Sequence, residues 1–230
     1  MRYQYWDEKT ETMPRAELES LQLGALRAAV ARALGTPYNA PRLAAAGIHD
    51  SGDIRSLDDL RRLPFTTKHD LRESFPYGML AAPKEEVVRL HASSGTTGVP
   101  TTIYFTRKDI SRWASYMARS IFASGCTRAD VFQNMIPYGL FTGGLGLHYG
   151  AEEVGMLVIP AGAGNTPRQF RMMRDHGTTV VHATPSFLLH VQSKMIEEGV
   201  DRAGLQLRKA FAGAEPYSED TRRRIEALLD

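Results

Sequence analysis

A chain of 230 residues with 43% apolar and 23% charged side chains has the composition of an ordinary globular protein, long enough to bury a core without a disulfide or metal staple. Its 28 basic residues face 26 acidic ones, and a net charge of +2 argues against nucleic acid or an anionic membrane as the main partner. The one cysteine, Cys126, excludes an internal disulfide and favours a reducing compartment.

From the N-terminus, Asp7 and Glu8 stand where a secretion signal needs an apolar stretch, and no run of about 18 apolar residues follows. A cytoplasmic protein with no membrane span is therefore expected. Leu23, Leu26, Val30 and Leu34 recur at helical spacing, and Gly35 and Pro37 end that stripe. Ser56 and Thr67 are expected to cap two shorter helices. Residues 1–80 thus read as a mostly helical segment, and residues 81–230 as an α/β region.

In the second region Val87-Val88-Arg89-Leu90 and Thr101-Thr102-Ile103-Tyr104-Phe105 are strand-like. Ile110, Trp113, Met117 and Ile121 mark a helix. Strands are predicted over 131–136, 156–159, 178–182 and 207–212. Between and after them come helices opened by Thr166-Pro167, striped by Leu188, Val191 and Met195, and opened by Ser218. Strands separated by helices of this length need crossover connections, so the fold class is α/β, with mainly parallel sheets, flanking helices and a helical N-terminal segment. The final helical pattern, 221–229, runs to the end of the chain without a Gly or Pro stop, as a domain end or a fragment would.

Three segments are suited to chemistry. In Ser93-Ser94-Gly95-Thr96-Thr97-Gly98-Val99-Pro100-Thr101, glycines permit close backbone approach, and amides and hydroxyls can donate to phosphate oxygens. It lacks the Gly-Lys-Ser/Thr ending of a Walker loop, and a plain hairpin turn is the alternative. In Pro137-Tyr138-Gly139-Leu140-Phe141-Thr142-Gly143-Gly144-Leu145-Gly146, Tyr138 and Phe141 would wall an apolar slot that Gly143 and Gly144 leave open, beyond a strand end. The alternative is a glycine-tolerant helix start with core aromatics. In Phe211-Ala212-Gly213-Ala214-Glu215-Pro216, small residues at a strand end would let a flat ring lie on the backbone, or the segment is a plain turn with Glu215 solvated. His182 sits at another strand end, facing the same crevice or buried as structure.

The seven histidines show no metal-ligand spacing, no Gly-x-Ser-x-Gly elbow occurs, and Arg222-Arg223-Arg224 reads as a solvated helix face. Neither a catalytic nucleophile nor a metal ligand stands out.

Taken in order, these segments resemble the acyl-adenylate-forming enzymes, and within them the phenylacetate–CoA ligases. The Ser93-to-Thr101 run is similar to the family's phosphate loop, residues 132–144 to its acyl-pocket segment, and Gly213-Ala214-Glu215-Pro216 to its adenine-side loop. Ala183-Thr184-Pro185-Ser186, Trp6, residues 57–64 and Thr66-Thr67-Lys68 also match. Val99 stands where family loops often carry lysine. The downstream aromatic-Gly-x-Thr-Glu motif, whose glutamate holds Mg²⁺, is missing, as are the ribose-binding aspartate and the catalytic lysine. The resemblance is therefore to part of a large N-terminal domain, with the Mg²⁺ ligand expected beyond residue 230 and the fragment inactive alone.

The resemblance implies ATP-dependent activation of an aryl acid to an acyl-adenylate and then a coenzyme A thioester, in phenylacetate catabolism. ATP, Mg²⁺ and coenzyme A are the implied cofactors, Ser93 to Gly98 the phosphate site, and Tyr138, Phe141, Gly143, Gly144 and His182 the acyl pocket. A homodimer is the implied assembly. A non-catalytic nucleotide- or acyl-binding module, or an adenylating enzyme that does not use coenzyme A, would fit the same residues.

Overall fold

In the computed structural model, which describes residues 5–93 and 100–229, the leucine stripe lies on α2 (Arg15–Leu34), preceded by the short α1 (Glu8–Glu11). Val30 is buried with Leu43 of α3 (Asn39–Ala45), Ile48 and Ile54, and Leu23, Leu26 and Leu34 pack against that cluster. Gly24, in the middle of α2, is exposed, and a Cβ there would meet nothing within 4 Å. Gly24→Ala is therefore expected to raise stability by about 0.5–1 kcal/mol, by removing unfolded-state freedom. A urea midpoint that does not rise would contradict this.

Thr67 caps α4 (Lys68–Glu73) as expected: its hydroxyl accepts from the Asp70 amide at 3.3 Å, while the Asp70 carboxylate accepts from the Thr67 amide. The stretch Leu57–Arg62 differs from the expected α-helix and is a 3-10 turn. The Asp59 carboxylate takes the amides of Arg55 and Ser56, at 2.8 and 3.0 Å, and Pro64 blocks extension two residues beyond.

The chain divides into two compact units, Asp7–Ile110 and Ser111–Asp230 with Met1–Trp6. In the first, β1 (Val87–Ala92) and β2 (Thr102–Thr106) form an antiparallel hairpin with Ala92 opposite Thr102. The division falls within α5 (Arg107–Ala123).

In the second unit β3 (Val131–Asn134), β4 (Leu157–Ile159), β5 (Val180–Ala183) and β6 (Lys209–Ala212) form a parallel sheet in the order β4-β3-β5-β6. The crossovers are α6 (Thr142–Val154), α7 (Thr166–Asp175) and α8 (Pro185–Glu197), and α9 (Glu219–Glu226) follows β6. The strands are shorter than predicted. Beyond Asn134, for example, Met135 still donates to the His182 carbonyl at 2.8 Å, but Pro137 has no amide to continue a ladder. The cap of α7 is Asn165, one residue before the expected Thr166.

The sheet is covered on both faces, which is why β5 is buried throughout. Phe132 and Val180 pack with Ile121, Cys126, Ala151 and Met156 on one side. Val181 and Ala183 pack with Phe170, Met173, Leu188 and Val191 on the other. Helices α5 and α6 approach each other closely. A Cβ on Gly146 would lie 2.6 Å from the Trp113 ring, and one on Gly150 would lie 2.5 Å from Met117 Cβ.

Two buried polar groups tie the sheet together. Asp130, just before β3, accepts from Thr179 Oγ1 at 2.7 Å and the Thr127 amide at 2.8 Å, and is bound by Arg208. Gln133 on β3 donates to Gln169 Oε1 at 2.7 Å and accepts from Thr178 Oγ1 at 2.8 Å. Gln169 in turn donates to the carbonyls of Gly162 and Gly164, which fixes the loop after β4.

Candidate functional site

At the carboxyl end of an open parallel sheet the strands finish while the flanking helices splay, leaving a crevice. Here that edge holds a cleft of about 410 Å³. Met135, Ile136 and Pro137 line it from the turn after β3, Ala163 from the loop after β4, and Ser186, Phe187 and His190 from the first turns of α8. The Phe187 and His190 rings stack at 5.9 Å, and His190 Nε2 lies 3.1 Å from Thr166 Oγ1. An apolar wall with a few hydroxyls at its rim suits a flat or apolar group.

Beside the cleft, Asn134 ends β3 fully buried. Its Nδ2 donates to the Gly144 carbonyl and to Tyr138 Oη, both at 2.7 Å. A carbonyl can only accept, so this contact fixes which end of the amide is nitrogen. Asn134 Oδ1 then faces His182 Nδ1 at 2.9 Å, and Nδ1 must carry the proton. His182 is buried on β5, and burial pushes its pKa down to about 4, so the ring is neutral at pH 7. Tyr138 Oη also meets His148 Nδ1 at 3.0 Å, and His148 Nε2 lies 3.0 Å from Glu152 Oε1. Burial pushes the Tyr138 hydroxyl up to about 12, which keeps it protonated.

Of the residues predicted for an acyl pocket, Tyr138, Gly144 and His182 are thus brought together, through Asn134. Gly144 sits in the first turn of α6, where a Cβ would lie 2.8 Å from the Pro137 carbonyl, so it permits close backbone packing. Gly143 has open space around its Cα. Phe141 is the N-cap residue of α6 and stays exposed, joining neither the Asn134 cluster nor the lining of the cleft.

The predicted adenine-side loop follows β6. Gly213 donates weakly to the Ala183 carbonyl at 3.4 Å, and Ala214 holds the left-handed backbone conformation with φ 71°. The Glu215 carboxylate accepts from the Ser186 amide at 3.0 Å and from Ser186 Oγ at 2.8 Å. The Ser186 amide, then its hydroxyl, holds the Glu215 pKa below the usual carboxylate range. An anion at the start of α8 also meets the positive end of the helix dipole. Pro216 follows, exposed.

In the first unit the hairpin closes between Ser93 and Thr101: Ser93 Oγ accepts from the Thr101 amide at 3.1 Å and from Thr101 Oγ1 at 2.9 Å. The remaining predicted phosphate-site residues, Ser94, Gly95, Thr96, Thr97 and Gly98, lie outside the described residues. Among the described residues no three His, Cys, Asp or Glu side chains converge as a metal site. No described helix is long and apolar enough to cross a membrane.

Sequence reasoning missed Asn134 as an organising residue and Ser186 as the partner of Glu215. A signal for the first existed: two adjacent amides, Gln133 and Asn134, at the end of a strand expected to be buried must both find partners.

The family model of AMP-binding enzymes matches residues 39–230, the whole of the sheet and its carboxyl edge. The chain belongs to the AMP-binding enzyme family. Phenylacetate-coenzyme A ligase of Pseudomonas putida is 45% identical over 220 residues, which cover 95% of this chain and 50% of that protein. The Escherichia coli K12 phenylacetate-coenzyme A ligase is 42% identical over 221 residues, again 95% of this chain and 50% of the relative. A crystal structure of 2-hydroxyisobutyryl-CoA ligase in complex with 2-HIB-AMP and CoA aligns with a TM-score of 0.89 at 29% identity, covering 98% of this chain and 50% of that one. The chain thus spans about half the length of the curated relatives it matches, and it shares the α/β fold of adenylate-forming ligases.

Proposed function

We propose that this chain provides nucleotide- and acid-binding surfaces of an enzyme that activates an aryl, phenylacetate-like carboxylic acid to its acyl-adenylate and then to a coenzyme A thioester. The observation that carries the reading is the 45% identity to a phenylacetate-coenzyme A ligase over 95% of the chain. In the first step a carboxylate oxygen bonds to the α-phosphorus of ATP and the bond to pyrophosphate breaks. In the second, the coenzyme A sulfur bonds to the acyl carbon, and AMP leaves with the electron pair.

The physical obstacle is an anion meeting a polyanion. Two unit charges about 4 Å apart repel by roughly 4 kcal/mol at an effective dielectric of 20. Fixed donors offset that repulsion without reorganising during the reaction, and in this reading Ser93 to Gly98 supply them. Gly213, Ala214, Glu215 and Pro216 bear on the adenine side, with Glu215 acting by bracing the loop on α8. Tyr138, Phe141, Gly143, Gly144 and His182 form the acyl side, where the neutral His182 presents an uncharged ring. Mg²⁺ accompanies ATP as its counter-ion. A cytoplasmic location and a homodimer complete the reading.

The test is ATP–pyrophosphate exchange by the full gene product with phenylacetate and other aryl acids. Exchange is expected, and its absence with every aryl acid ends the reading. Gly98→Val is expected to raise the KM for ATP by about tenfold or more, because a branched side chain there holds the loop backbone back from the phosphates and weakens at least one charged hydrogen bond, with the fold retained. Unchanged ATP kinetics would remove the loop from the site.

A further inference from the structure

Asn134 is where the carboxyl edge is organised. It is fully buried, yet every hydrogen-bonding position of its amide is used: Oδ1 faces His182 Nδ1 at 2.9 Å and the Ile136 amide at 3.4 Å, and Nδ2 donates to Tyr138 and Gly144. These partners come from β5, from the turn after β3 and from the first turn of α6. A buried amide so fully engaged allows one arrangement of its partners, since any other leaves a polar atom unpaired at a cost.

We infer that Asn134 is the positioning residue of the acid-binding side: it holds Tyr138 in place and fixes the Nδ1–H tautomer of His182, and so acts on the carboxylic acid and not on the nucleotide. The inference rests on the acid-activating function proposed above. Asn134 sits next to Met135, Ile136 and Pro137, which line the cleft, so a shift of the turn after β3 alters the cleft wall directly. The Glu215–Ser186 brace, on the far side of β5, shares no hydrogen bond with Asn134 among the described residues, so the two sides can be perturbed separately.

The experiment measures exchange kinetics and histidine tautomers together, in the full gene product. Asn134→Ala is expected to raise the KM for phenylacetate by about tenfold while the KM for ATP stays within about twofold. Tyr138→Phe, which removes only a half-exposed hydroxyl, is expected to raise the KM for phenylacetate to a smaller degree and to add little to Asn134→Ala in the double variant. Nitrogen-15 correlation spectra are expected to show His182 as the Nδ1–H tautomer in the unaltered protein and as a mixture in Asn134→Ala. Equal rises in both KM values, or full additivity in the double variant, would overturn the inference. If Asn134→Ala does not fold, Tyr138→Phe decides, and an unchanged KM for phenylacetate overturns it. If the unaltered protein exchanges with no aryl acid, the proposed function falls and the tautomer alone decides Asn134: persistence of Nδ1–H in Asn134→Ala, or its absence in the unaltered protein, overturns the positioning role.

Discussion

Asp130→Ala is expected to destabilise the second unit by about 3 kcal/mol. Its side chain is fully buried, and three groups converge on it from the turn before β3, from Thr179 and from Arg208. Removing one partner of a buried pair costs about 3–5 kcal/mol, because the remaining groups lose their compensation. Arg208 is half exposed and can turn to water, which places the effect at the lower end. Burial acts to raise the Asp130 pKa, but the bonds from Thr179, Thr127 and Arg208 outweigh it and hold the carboxyl below the usual range. A folded-state value below the unfolded one contributes stability that is present above the unfolded pKa of about 3.9, and is lost as pH falls through the folded value. Urea midpoints at pH 7 and along an acid series check both statements. The variant should start lower and decline less steeply in acid. A parallel decline would remove Asp130 as a source of acid sensitivity.

Gly150→Val is expected to cost about 3 kcal/mol, at the upper end of what overpacking does. A Cβ at this position meets Met117 Cβ at 2.5 Å and the backbone at Met117 and Ala118 at 2.9 and 3.0 Å, so no rotamer change relieves it and α5 and α6 must move apart. Valine is also a weaker helix former than most, whereas glycine is weaker still, so intrinsic propensity offsets only a fraction of the loss. Thermal unfolding separates the cases. Gly24→Ala and Gly150→Val should shift the midpoint in opposite directions, and a shared direction would refute the packing account.

These two glycines also show what was legible in the chain and what was not. The stripe Leu23, Leu26, Val30 and Leu34, the proline-marked helix starts and the alternation of strands with helices are local patterns, and each appears in the fold. The order of strands in the sheet is not local and had no signature beyond the crossover lengths. The spacing suggests Gly143 and Gly144 as room for a ligand, but it does not reveal that Gly144 also admits the Pro137 carbonyl or that Gly146 admits the Trp113 ring. The segments suited to chemistry are legible through their order and their resemblance to a family. The hydrogen bonds joining them are not, because Asn134 meets His182 across 48 positions and Ser186 meets Glu215 across 29. Ala214 carried no hint of its positive φ, since glycine or asparagine is what that conformation favours.

That last residue has a mechanical consequence. An alanine kept in the left-handed region costs roughly 1–2 kcal/mol, and it stays there only while its surroundings insist on it. Glu215, the very next residue, is fastened to the first turn of α8 by two hydrogen bonds. The bend after β6 is therefore a cocked latch whose catch is Ser186, and Ser186 is also part of the cleft wall. Any push on the bend is delivered across the end of β5 to Ser186 and so to that rim of the cavity, while the Asn134 side keeps its own fastenings.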